Sequence, residues 1–187
     1  MLSRIEPLFL RMPYGLTSRL HTILYRCLGI TLGNSNRFEK GRIRRVSNIQ
    51  IGNKNAFTQG WFLWPSDEDS TEKKIVIGDN NYFNRNLMID SCNYIEIGSN
   101  NMFGPDVYIT DSNHTFKFGV FPSKLPMNKG KVKIGNGCWI GAKAIILKDV
   151  ELGDFCVVAA GSVVTKSFPS GSIIGGVPAS IIKKMIE

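Results

Sequence analysis

The chain has 187 residues, 43% of them apolar and 20% charged. That composition is globular rather than disordered, and the length suits one domain with a short appendage. Lys and Arg outnumber Asp and Glu 23 to 15, a net +8 that suits a phosphate-bearing partner: nucleic acid, a phosphorylated cofactor or an anionic membrane.

No apolar run reaches the length needed to span a bilayer. Cys27, Cys92, Cys138 and Cys156 form no C-x-x-C pair, and there are only two histidines, so no metal site is expected. This cysteine usage predicts a reducing, cytoplasmic setting.

Residues 1–30 carry apolar side chains at helical spacing: Ile5, Leu8, Phe9, Met12 and Leu16, then Leu20, Ile23, Leu24, Cys27 and Leu28. Pro13 and Gly15 predict a break between two short helices. Charged residues interrupt the apolar run, so a signal peptide is not expected. One reading is a helical cap over the open end of the fold, with His21 structural. The other is peripheral membrane contact, with Arg4, Arg11, Arg19 and Arg26 meeting anionic lipid.

Residues 31–172 repeat. An aliphatic-Gly pair recurs at Leu32, Ile51, Ile77, Ile97, Ile134 and Leu152, with apolar residues six and twelve positions on. The triplets are Ile51/Phe57/Leu63, Ile77/Phe83/Ile89, Ile97/Phe103/Ile109, Ile134/Ile140/Ile146 and Leu152/Val158/Val164; Leu32/Phe38 begins a weaker copy. A period of six fits neither a helix nor a simple alternating strand. It fits a parallel β-helix with three short sides per coil. The Gly is expected to take the corner conformation. Asn55, Asn81, Asn101, Cys138 and Cys156 are expected to fill the interior beside it.

Unequal intervals locate insertions. The largest are a polar stretch over 65–74 and an excursion loop over 110–130. A solenoid usually places function on such an excursion. Residues 173–187 read as a turn and a short helix over Ser180–Ile186.

His114 opens the excursion, directly after an expected strand end and near Asp111. An imidazole can take and return a proton near neutrality, which suits general base catalysis. Asp111 either orients the ring or touches a substrate.

The string from Ile134 to Ala142, then Leu152-Gly-Asp, the run Val158 to Lys166 and Gly176-Val-Pro-Ala, resembles the hexapeptide-repeat acyltransferases. The nearest branches are the maltose and galactoside O-acetyltransferases and those of bacterial surface polysaccharides. The resemblance covers about residues 75–185. It implies an all-β, left-handed parallel β-helix assembled as a homotrimer, with sites between neighbouring chains. It implies acetyl-CoA as donor and a sugar or glycan hydroxyl as acceptor. His114 then matches the catalytic base, and Asn84, Asp111 and Asn113 fall at the acceptor. Trp139, Ala142, Ala160, Thr165, Lys166, Lys183 and Lys184 fall along the acetyl-CoA site.

Thr115 stands where several relatives have Pro. The N-terminal helices and the 65–74 insertion look more like the surface-polysaccharide enzymes, which points to a larger or lipid-linked glycan. Two other readings stand beside this one: N-acetylation of an amino-sugar, and a non-catalytic scaffold. Nucleic-acid binding is not expected, because the aromatics occupy interior repeat positions and do not interleave with the basic residues.

Overall fold

The computed structural model describes residues 16–66 and 71–185. Its body is a coil with three faces, each a parallel sheet. The first face holds strands Thr31–Leu32, Ile49–Ile51, Ile75–Ile77, Tyr94–Ile97, Lys131–Ile134 and Val150–Leu152. The second runs from Arg37–Phe38 through Ala56–Phe57, Tyr82–Phe83, Met102–Phe103, Trp139–Ile140 and Val157–Val158 to Ser172–Gly176 and Ala179–Lys184. The third holds Arg42–Ile43, Phe62–Pro65, Met88–Ser91, Tyr108–Thr110, Ile145–Ile146 and Val163–Val164.

The repeat triplets are the inward rows. Leu32, Ile51, Ile77, Ile97, Ile134 and Leu152 pair in register down the first face. Phe38, Phe57, Phe83, Phe103, Ile140, Val158 and Ile174 do so down the second. Nearly all are fully buried, so the core is a narrow column inside the coil. Four phenylalanines stack at 5.0, 4.5 and 4.8 Å between centroids. Such pairs add about 0.5–1.5 kcal/mol each beyond burial alone.

The glycines act differently from the expectation. Glycines that follow the inward aliphatic are needed for close approach: a Cβ on Gly52 would meet Gly78 O at 2.8 Å, and one on Gly78 would meet Gly98 O at 2.8 Å. The positive φ that turns the corner falls two residues later, at Ser35, Lys54, Asn80, Asn100, Gly137 and Phe155.

The small interior residues form a hydrogen-bonded ladder. Asn55 Oδ1 accepts from Asn81 N–H at 2.9 Å, and Asn55 Nδ2 donates to Gly78 O at 2.9 Å. Asn36 and Asn81 repeat this pattern. The ladder ends at Asn101, whose Oδ1 takes Cys138 N–H at 2.6 Å while its Nδ2 has no partner. Thiols continue the column: Cys138 Sγ lies 3.3 Å from Gly153 O, and Cys156 Sγ 3.3 Å from Pro169 O.

Residues 16–27 form a helix over the first coil. It faces the coil with its polar and aromatic side. Ser18 Oγ accepts Phe38 N–H at 2.8 Å, and Tyr25 packs edge-on against Phe38 at 5.5 Å. The first predicted helix, with Arg4, Arg11 and its apolar residues, lies outside the described residues, as do residues 67–70 of the insertion. Among the described residues no helix is long and apolar enough to cross a membrane.

The predicted C-terminal helix is a strand. Ala179–Lys184 pairs antiparallel with Ser172–Gly176 after the Gly175–Ala179 turn. The strand Ser172–Gly176 ends the second face with an open edge, and the chain covers that edge by folding back. β-branched Ile181 and Ile182 suit this pairing.

Candidate functional site

The excursion is an antiparallel hairpin, Ser112–His114 against Met127–Lys129. His114 is exposed on it, opposite Met127. Phe116, Phe118 and Phe121 on its tip are exposed at 89%, 103% and 72%.

The hairpin root is pinned. Asp111 is fully buried, and its carboxylate accepts Cys92 N–H at 2.7 Å, Asn93 N–H at 2.9 Å and the Ser91 hydroxyl at 2.7 Å. Its carbonyl takes Gly130 N–H at 2.7 Å, while Asn93 Nδ2 donates to Gly130 O at 2.9 Å. This corrects the substrate-binding expectation for Asp111. Its oxygens are spent on residues 91–93 and are out of an acceptor's reach; it positions the hairpin that carries His114. Asn113 is exposed beside His114, opposite Asn128.

A second group gathers on the edge between the second and third faces. Asn84, Gly104, Ala142 and Ala160 lie there on successive coils, linked by Asn84 N–H to Phe103 O, Gly104 N–H to Ile140 O, and Gly161 N–H to Ala142 O. Gly141 and Lys143 both donate to neighbouring coils, as do Ala159 and Gly161. The N–H groups of Ala142 and Ala160 between them make no such bond. A Cβ on Gly104 would sit 2.5 Å from Ala142 N, and one on Gly141 would sit 2.5 Å from Ala160 N. Only glycine leaves these two amides uncovered. Trp139 stands beside this edge on the second face, 58% exposed, in register between Met102 and Val157.

The remaining expected residues are divided. Lys183 and Lys184 are exposed on the last strand of the Trp139 face. Thr165 and Lys166 are exposed just past the third-face strand Val163–Val164, on the edge that also bears the hairpin.

Sequence reasoning missed two features between these edges. On the third face the Tyr108 hydroxyl donates to Asp90 Oδ2 at 3.3 Å, and burial pushes the Asp90 carboxyl above its ordinary range. At the hairpin root a cavity of about 660 Å³ opens onto the first face, lined by Asn93, Tyr94, Glu96, Lys129 and Lys131 among others. The extra residues near Ser91 were the available signal for the root, since they build the turn that holds Asp111.

A triangular parallel coil with an inserted histidine hairpin and an uncovered amide edge defines the class: a hexapeptide-repeat β-helix. Residues 131–166 match the family described as Bacterial transferase hexapeptide (six repeats). Over 111 residues the chain is 34% identical to the galactoside O-acetyltransferase of Escherichia coli K12, covering 59% of this chain and 54% of that one. It is 35% identical to the putative lipopolysaccharide biosynthesis O-acetyl transferase WbbJ of the same strain, over 59% of this chain and 60% of the relative. The chain thus spans little more than half the length of these curated relatives. Among solved structures, a maltose O-acetyltransferase from Clostridium difficile 630 superposes with a TM-score of 0.60 at 27% identity, covering 89% of this chain and 75% of that one. The N-acyltransferase AntD of Bacillus cereus, solved with dTDP and coenzyme A, shares the fold at a TM-score of 0.70 and 20% identity, over 85% and 86%. Repeat, fold and matches together identify the hexapeptide repeat of bacterial transferases in this chain, and they are consistent with left-handed winding.

Proposed function

We propose that the chain is an acetyl-CoA-dependent O-acetyltransferase acting on a sugar hydroxyl, of a surface polysaccharide or its lipid-linked precursor, on the cytoplasmic side. The observation that carries the reading is the pairing of an exposed, root-pinned His114 with two uncovered amides on another edge. The names of the curated relatives support the acetyl donor and the sugar acceptor.

His114 takes the proton of the acceptor hydroxyl as its oxygen attacks the thioester carbonyl. The C–O bond forms and a tetrahedral oxyanion develops. The Ala142 N–H, free of coil-to-coil bonding, donates to that oxyanion. The intermediate collapses, the C–S bond breaks, and the imidazolium returns its proton to the thiolate. The Ala160 N–H, one coil further, meets the extended arm of the donor, with Trp139 alongside. Thr165, Lys166, Lys183 and Lys184 serve its nucleotide and phosphates. Asn84 and Asn113 serve the acceptor.

The two groups sit at opposite ends of the short third-face strands, about 10 Å apart at 3.3 Å per residue. The reading therefore includes a homotrimer in which the hairpin of one chain meets the amide edge of its neighbour. The uncovered Phe116, Phe118, Met102 and Trp139 support such a contact.

The test is acetyl-CoA-dependent thiol release with sugar hydroxyl and amino-sugar acceptors side by side, on mixed variants. His114→Ala and Ala160→Trp are each expected to be inactive. Co-refolded, they should recover about a quarter of wild-type activity if sites form between chains of a closed ring. No recovery would place each site within one chain. Preference for the amine would select the N-acetylating reading, and no thiol release with any acceptor would favour the scaffold.

A further inference from the structure

Independently of any catalytic reading, the N-terminal end of the coil carries an unused surface. The helix over 16–27 turns Ser18 and Tyr25 inward. Its outward side is aliphatic: Leu16, Leu20, Ile23, Leu24 and, just past its end, Leu28 are 50–64% exposed. They follow helical spacing, so they form one stripe about 18 Å long. An ordinary surface helix hides such a stripe against its own core; this one hides the opposite side.

Charge is concentrated at the same end. Residues 1–46 hold nine Lys or Arg and two Glu, so +7 of the chain's +8 lies there. Arg19, Arg37, Lys40, Arg42 and Arg45 are all exposed. Between the helix and the first coil lies a cavity of about 560 Å³ lined by Ser18, Arg19, Thr22, Ile23 and Arg37, among others. It brings two guanidinium-bearing residues, two hydroxyl-bearing residues and one edge of the aliphatic stripe to a single opening.

We propose that this end of the coil docks on an anionic lipid surface. The helix lies in the plane of the interface with its stripe among the acyl chains, and the Arg19–Arg37 cleft receives a headgroup phosphate. A neutral protein surface would satisfy the stripe but not the charge; nucleic acid would satisfy the charge but not the stripe. The combination of cationic rim and aliphatic face is that of interfacial helices. Each nearby cation adds attraction to an acidic leaflet.

The experiment is co-sedimentation of the full chain with vesicles of phosphatidylcholine alone and of phosphatidylcholine mixed with phosphatidylglycerol. In parallel, Cys27, which is exposed, carries an environment-sensitive fluorophore in a Cys92→Ser background; Cys138 and Cys156 are buried. Binding to the mixed vesicles, its loss in high salt and a blue shift of the label are expected. Leu20→Ser with Ile23→Ser, and separately Arg19→Glu with Arg37→Glu, should each weaken binding about tenfold or more. These positions are exposed, and unchanged cooperative melting verifies the fold of each variant. Three results would overturn the proposal: no sedimentation with mixed vesicles, equal binding to neutral vesicles, or full binding by the serine variant. A change of oligomeric mass in that variant without lipid would also overturn it, by assigning the stripe to a second copy of the chain.

Discussion

The coils before the hairpin and those after it solve the same packing problem with different chemistry. Before it, phenylalanines stack down the second face and asparagines form the interior ladder. After it, Ile140, Val158 and Ile174 occupy the same row, and Cys138 and Cys156 the same corner. The change falls between Asn101 and Cys138, across the inserted hairpin, where Asn101 Nδ2 is left without a partner. The inward positions and the close glycine contacts are common to both halves. The filling is negotiable so long as volume and hydrogen bonds are kept.

The difference predicts a gradient of effects. The largest belongs at the seam: His114→Ala should lower turnover about 10²–10⁴-fold, the typical worth of general base help. Acetyl-CoA should still raise the variant's melting temperature; loss of that shift would mean the histidine holds the fold or the donor. Next comes the aromatic half. Phe57→Ala should cost about 3–5 kcal/mol in chemical denaturation, whereas Ile140→Val beyond the seam should cost about 0.5–1.5. Equal costs would mean the stack has no special standing.

The ladder gives a smaller contrast. Asn55→Ala strands Asn81 N–H and Gly78 O inside the coil, at about 1–3 kcal/mol for each buried group left unpaired. Cys138→Ala removes only a weak thiol donor and should cost less than Asn55→Ala. The smallest effect belongs to Asp90. Its carboxyl titrates above the ordinary range because burial disfavours the charge. The folded state therefore binds the proton more tightly than the unfolded chain. That contribution is full below the unfolded Asp range and is lost as pH rises through the raised value. Asp90→Asn should stabilise at neutral pH by under about 0.5 kcal/mol, with the gain vanishing in acid. A gain that grows in acid would reverse the assignment.

The sequence displayed the coil because inward aliphatics at fixed spacing are a local signal. Rows such as Ile43, Leu63, Ile89 and Ile109 needed no knowledge of neighbours beyond the period. Where tertiary partners decided, the reading failed. Ser180–Lys184 became a strand because the last coil offered an open edge. The helix over 16–27 turned its polar side inward because the first coil presented Phe38 N–H and a ring edge there. Asp111 looked available beside His114, yet the turn over 91–93 consumes its oxygens. For the candidate site, residue types were legible; their distribution over two edges followed only from where each coil turns.

The uncovered amides of Ala142 and Ala160 have a further consequence. Each coil reproduces the same edge, and adjacent strands stand about 4.8 Å apart. The edge is therefore a ruler graduated in coils. An elongated ligand laid along it is measured in whole turns, and the ligand length accepted could change by adding or deleting one turn without redesigning any contact.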